Sequence, residues 1–194
     1  MKIIMASGNM HKVEEVQSYL SDLGIEVLPL TALLSHYEAP EETGETLEEN
    51  AKIKAEALQS LLPGEWILAD DSGLFVDALG GEPGVHSARY AGDNATDEKN
   101  NQKLIRELEK KSRTAAFRSV LCLLDDKGDH FFQGEISGTM LEEPRGNGGF
   151  GYDPYFLPLG KKETFAEMSM KDKNKISHRA LALKELKKYL QNRL

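Results

Sequence analysis

Apolar positions open the chain as a short block over residues 2–6, and three small polar residues follow it, Ser7, Gly8 and Asn9. The block predicts a strand. Val13, Val16, Leu20 and Leu23 recur three and four apart and predict a helix over 10–23. A second strand is predicted over 25–30, then an acidic loop through Pro40, Glu41, Glu42, Thr43 and Gly44. Thr46 and Glu49 make a capping-box pair, so a helix begins there, with Leu47, Ala51, Leu58 and Leu62 on its inner face. Pro63 and Gly64 end it. The apolar run at 67–69 predicts a buried strand with Asp70, Asp71, Ser72 and Gly73 at its mouth, and residues 74–79 predict another strand. Thr96 caps a helix over 97–111, with Leu104, Ile105 and Leu108 inward. Two long strands over 114–124 and 130–141 flank a turn and form a hairpin. Glycine is too dense around Phe150 for a helix or a packed strand. A last helix is predicted over 177–190, with Ser177 as its cap, behind a lysine-rich segment at 171–175. Helices and strands alternate early and a hairpin follows, which predicts an α/β fold with a mixed sheet. No repeat, linker or low-complexity tract interrupts residues 1–194, so they read as a single domain; any two lobes within it would share the sheet.

Composition narrows the function. The chain has 194 residues, enough for a sizeable core, and 40% of them are hydrophobic against 29% charged, as in a soluble globular protein. With 24 basic and 32 acidic residues the formal net charge is −8, which argues against charge-driven binding to nucleic acid or to an anionic membrane. A small phosphate-bearing ligand stays open, because a local lysine cluster or a metal reverses the local field. One cysteine, Cys122, gives no internal disulfide and no thiolate cluster for zinc. The first apolar run is too short for a signal peptide, and a reducing, cytoplasmic setting is expected.

Five stretches carry candidate chemistry. Asp70 and Asp71 can hold a hard cation through oxygen, and one of them can take a proton from water; the same four residues, Asp-Asp-Ser-Gly, also suit a plain turn. Ser7, Gly8, Asn9, Met10, His11 and Lys12 place a polar turn at a helix start, a ready anion site or an ordinary capped helix. A carboxylate of the acidic loop can complete a cation site with Asp71, or simply be solvated. Lys52 and Lys54 follow in the next helix, where one can face phosphate. Between Gly148 and Pro154, Phe150 and Tyr152 offer flat faces for a heterocyclic base, a contact of ~1–3 kcal/mol, unless both rings are tucked into the core. His178 and Arg179 fall in the first turn of the last helix, where cations oppose the helix dipole. Arg179 carries donors only and favours a base with a keto oxygen over one with an amino group.

Taken together and in this order, these stretches resemble the Ham1/RdgB family of inosine/xanthosine triphosphate pyrophosphatases, house-cleaning enzymes for non-standard purine nucleotides. The matching residues are 6–12, 41–44, Glu49 to Ala51 with Lys54, 69–74, 84–90, 148–154 and 176–179, and the resemblance spans about residues 3–190. It implies an elongated mixed sheet flanked by helices, two lobes with an active-site cleft between them, and a homodimer. It implies Mg²⁺-dependent hydrolysis of ITP, dITP and XTP to the monophosphate and pyrophosphate, with Mn²⁺ as a substitute metal. Asp71 matches the general base and a metal ligand, and Glu42 a second metal contact. Ser7, Gly8, Asn9, Met10, His11, Lys12, Lys54 and Ser72 match triphosphate and sugar contacts. Phe150, Gly151, Tyr152, Asp153, Lys173, His178 and Arg179 match contacts near the base. Two alternatives remain at this stage: a Maf-like pyrophosphatase of modified nucleotides, against which Gly148–Pro154 and Ser177–Arg179 count, and a nucleotide-binding sensor without catalysis, against which the carboxylates count.

Overall fold

The computed structural model describes residues 1–193. Six strands form one sheet in the order β2-β1-β3-β4-β5-β6. They are β1 (Lys2–Met5), β2 (Glu26–Pro29), β3 (Ile67–Val76), β4 (Thr114–Asp125), β5 (Gly128–Met140) and β6 (Phe156–Pro158). The helices are α1 (Met10–Leu20), α2 (Leu47–Leu61), α3 (Asp97–Glu107), α4 (Met170–Ile176) and α5 (His178–Gln191). β1 runs parallel to β2, with Ile3 opposite Val27, and parallel to β3, with Ile4 opposite Ile67. β5 pairs antiparallel with β6, Met140 opposite Phe156. β4 and β5 are neighbours joined by two residues, a connection that only an antiparallel hairpin permits. The sheet is therefore mixed, as expected.

The chain divides into two compact units. The first comprises residues 1–71, 119–134 and those from Arg179 on; the second comprises residues 72–118 and 135–178. In the first unit Ile3, Met5 and Leu68 from the sheet pack with Val13, Val16 and Leu20 of α1 and Leu183, Leu186 and Leu190 of α5. The α1 residues are the apolar stripe that the helical spacing predicts. In the second unit Leu74 and Val76 pack with Leu104 and Leu108 of the α3 segment, and with Phe117, Phe156 and Phe165.

Three elements depart from the sequence reading. Residues 67–79 form one strand and a short turn instead of two strands, so Asp70 and Asp71 lie inside β3 and not at its mouth. β3 is buried along almost its whole length, and the carboxylates are tolerated there because cations meet them, as described below. Gly73 permits this path: a Cβ at that position would stand 2.3 Å from the Gly84 carbonyl oxygen. The lysine-rich segment is helix α4, capped by Ser169, whose side chain accepts from the Asp172 amide. β6 is three residues long and lies beyond what periodicity detects.

Candidate active site

The first unit gathers one set of candidates. Asn9 caps α1, its Oδ1 accepting from the His11 amide at 3.0 Å and from the Lys12 amide at 3.4 Å. Ser7 Oγ accepts from the Asn9 amide at 3.1 Å. The Asn9, His11 and Lys12 amides are thus met by side-chain caps. Gly8, Met10 and His11 are exposed at this helix start. Lys12 leaves α1 for β3: its Nζ donates to Asp70 Oδ1 at 2.5 Å.

Asp70 is the centre of a buried ion network. Its Oδ2 accepts from Arg179 Nε at 2.7 Å and from Ser119 Oγ at 3.2 Å. Arg179 Nη1 donates in turn to Glu15 Oε2 at 2.5 Å. Burial pushes the Asp70 carboxyl up, but Arg179 and Lys12 beside it hold it well below the usual carboxylate range. Burial lowers the Lys12 ammonium, against the pull of Asp70. Arg179 is 1% exposed and engages two carboxylates. A guanidinium at that depth requires anionic acceptors, and Asp70 and Glu15 supply them. Glu15 and Ser119 were not anticipated. Lys12 and Glu15 are three apart and share a face of α1, which was the available signal; Ser119 left none.

Asp71 faces a different partner. Its Oδ1 accepts from Lys54 Nζ at 2.5 Å, and Lys54 also pairs with Glu42 Oε1 at 3.2 Å and donates to the Asp70 carbonyl at 2.9 Å. α2 positions Lys54. The predicted capping box is present, Thr46 accepting from the Glu49 amide at 3.1 Å and Glu49 accepting from the Thr46 amide at 3.1 Å. Asn50, fully buried, ties the acidic loop to α2 by accepting from the Gly44 amide at 2.8 Å. Burial raises the Asp71 carboxyl above its usual range, with Lys54 opposing. Asp71 Oδ2 is buried and has no hydrogen-bond partner among the described residues. An orphaned carboxylate oxygen beside a second carboxylate fits a hard divalent cation. Among the described residues no three His, Cys, Asp or Glu side chains converge on a metal.

The second unit holds the other set. Lys173 of α4 is 4% exposed; its Nζ donates to Asp153 Oδ2 at 2.7 Å and lies 4.8 Å from the Phe150 ring centroid. Asp153 Oδ2 also accepts from the Phe150 amide at 3.0 Å. His178 stacks on Phe117, centroids 4.7 Å apart and planes 13° off parallel. Phe150 is half-buried, whereas Tyr152 is 4% exposed and donates its hydroxyl to the Ser87 carbonyl at 2.8 Å. Tyr152 is therefore packed in the core, the alternative its sequence context also allowed. Gly149 and Gly146 serve close packing within the protein: a Cβ at Gly149 would stand 2.1 Å from Asp153 Oδ2, and one at Gly146 would stand 2.4 Å from the Ala166 carbonyl carbon. Ser72, half-buried, follows Asp71 on β3 and belongs to this second unit.

The chain matches the model of the Ham1 family over residues 3–189. It is 46% identical over 197 residues to the dITP/XTP pyrophosphatase of Thermoanaerobacter pseudethanolicus, covering 100% of this chain and 98% of that protein. Against the dITP/XTP pyrophosphatase of Bacillus subtilis the identity is 46% over 192 residues, 97% of this chain and 96% of the other. Among solved structures, the Staphylococcus aureus Ham1 protein aligns with a TM-score of 0.88 at 38% identity over all of both chains. A HAM1 protein from Coxiella burnetii aligns with a TM-score of 0.89 at 42% identity over 99% of each.

Proposed function

Because the chain belongs to the Ham1 family, we propose that it hydrolyses non-standard purine nucleoside triphosphates, dITP, XTP and ITP, to the monophosphate and pyrophosphate. The observation that carries this reading is Asp71: a buried carboxyl raised in basicity, one oxygen held by Lys54 and the other without a partner. Asp71 takes a proton from water; the water oxygen bonds the α-phosphorus, the bond from that phosphorus to the bridging oxygen breaks, and pyrophosphate leaves. Asp71 and Glu42 would hold Mg²⁺, with Mn²⁺ able to replace it, and the cation would offset charge on the phosphate oxygens. Lys12 and Lys54, which face Asp70, Asp71 and Glu42 here, exchange those carboxylates for phosphate oxygens when nucleotide binds. The proton acceptor and the phosphate donors are then held in place on β3, α1 and α2, so catalysis is mainly positioning and electrostatics.

For the base, the reading rests on Phe150, Asp153 and Lys173. Phe150 supplies a stacking face. The carboxylate of Asp153 and the ammonium of Lys173 lie side by side, an acceptor next to a donor. Hypoxanthine and xanthine present N1–H and O6, the complementary pair, whereas adenine presents an acceptor at N1 and a donor at N6. This assigns to Lys173 the keto contact that the sequence reading gave to Arg179. A homodimer belongs to the same proposal and is read by sedimentation equilibrium. Among the described residues no helix is long and apolar enough to cross a membrane.

Asp71→Asn keeps the shape and removes the base. Its rate of pyrophosphate release from dITP is expected to fall by about 10²-fold or more. A variant that keeps near-normal turnover while folded would remove Asp71 from the mechanism.

A further inference from the structure

Asp97 and Asn101 of α3 lie outside every stretch used above, yet both reach the loop that carries Phe150. Asp97 Oδ2 accepts from the Gly151 amide at 2.6 Å. Asn101 Nδ2 donates to the Gly151 carbonyl at 2.9 Å and to the Asp97 carbonyl at 2.9 Å. One helix therefore holds both backbone polar groups of a single residue, the one between Phe150 and Tyr152.

Gly151 is where such a grip matters. Its φ is +61°, and a Cβ there would meet nothing within 4 Å. The left-handed backbone explains the glycine, and no side chain of its own fixes the peptide planes on either side. α3 is itself anchored. Asn100, 2% exposed, accepts from the Ala91 amide at 2.8 Å and donates to the Ala88 carbonyl at 3.0 Å, and Lys103 donates to the Tyr90 carbonyl at 2.8 Å. The choice of Asn at 101 is also informative. Its side chain is 6% exposed and its Oδ1 is buried without a hydrogen-bond partner, an arrangement that is unfavourable taken alone. The two Nδ2 donations account for keeping an amide there: an isosteric carboxylate would turn an acceptor toward two carbonyl oxygens.

We propose that Asp97 and Asn101 are positioning residues that set substrate specificity, by fixing the Gly151 peptide and with it the ring of Phe150 and the Asp153–Lys173 pair. The proposal rests on the reading that this loop contacts the purine. Neither residue touches substrate. Loss of either bond leaves the triphosphate-facing lysines in place and loosens the base contact.

The test compares kcat/KM for ITP with kcat/KM for ATP, measured by pyrophosphate release on the same preparation, in Asp97→Ala, Asn101→Asp and Phe150→Ala. The ratio of the two is independent of the folded fraction, so a merely structural role does not move it. Both α3 variants are expected to lower the ratio about fivefold or more, through a higher KM for ITP. Asp97 is exposed, so its variant keeps the core and carries the test if Asn101→Asp does not fold. Phe150→Ala separates the two layers. If it leaves the ratio unchanged, the base-contact reading itself fails. If it lowers the ratio while Asp97→Ala or folded Asn101→Asp keeps the wild-type value, the positioning role is overturned.

Discussion

Burial acts on Asp70 and Asp71 alike, and the cations around each decide how its carboxyl responds. Asp70 meets Arg179 and Lys12 and is held low; Asp71 meets chiefly Lys54, and burial prevails. Asp70 is thus an anion that the fold has fully committed, while Asp71 keeps an oxygen to offer. The linkage has a definite sign. A carboxyl depressed in the folded protein adds stability above its unfolded pKa, about 3.9, and that contribution is lost as pH falls through the lower folded value. Asp70→Asn leaves Arg179 and Lys12 without their shared counter-charge and is expected to reduce the unfolding free energy at pH 7 by about 3–5 kcal/mol. Urea unfolding of both proteins across pH checks this. The gap should hold from pH 7 to about pH 4 and narrow below it; a gap that is small at pH 7, or that widens in acid, would contradict the account. Of the candidate residues, Asp71, Glu42 and Lys54 meet one another, and Lys12 meets Asp70 beside them. Arg179 meets Asp70 and Glu15, and Tyr152 meets the Ser87 carbonyl, partners the sequence does not name, because a side chain's residue type states what it can bond and not which neighbour the fold brings to it.

At the scale of elements, the local signals were those the chain writes in adjacent residues. The Thr46 and Glu49 pair marked the start of α2, and both of its hydrogen bonds form. Thr46→Ala should lower the unfolding free energy by about 1 kcal/mol, seen as a lower urea midpoint, with kcat unchanged at 25 °C. An unchanged midpoint would mean that the box adds nothing to the helix that carries Lys54. α1, α3 and the β4–β5 hairpin were legible for the same reason, through spacing, caps and the turn residues 125–129, of which the structure keeps only two outside the strands. β3 was not. Asp-Asp-Ser-Gly favours a turn locally, and it remains in a strand because Lys12 and Arg179 arrive from 58 and 109 residues away. The lysine-rich composition of 171–175 carries no helical signal, yet α4 is a seven-residue helix whose Lys173 turns inward to Asp153.

Across the whole molecule, a chain of formal charge −8 concentrates cations on the carboxylates of its first unit. Lys12, Lys54 and Arg179 converge on Asp70, Asp71, Glu15 and Glu42 from α1, α2, α5, β3 and the acidic loop. Under the proposed function, a triphosphate enters by exchanging partners with the lysines. The fold class was legible from alternation and from the hairpin. Two lobes sharing the sheet were expected, but where the chain divides was not legible, because β3, β4 and β5 each pass from one unit to the other without a break in pattern. The most direct measurement is product analysis with Mg²⁺ on ITP, dITP, XTP, GTP, ATP and dTTP at equal concentration. The account predicts pyrophosphate and monophosphate in equal amounts, with ITP, dITP and XTP strongly preferred. Release of orthophosphate, or equal turnover of ATP, would contradict it.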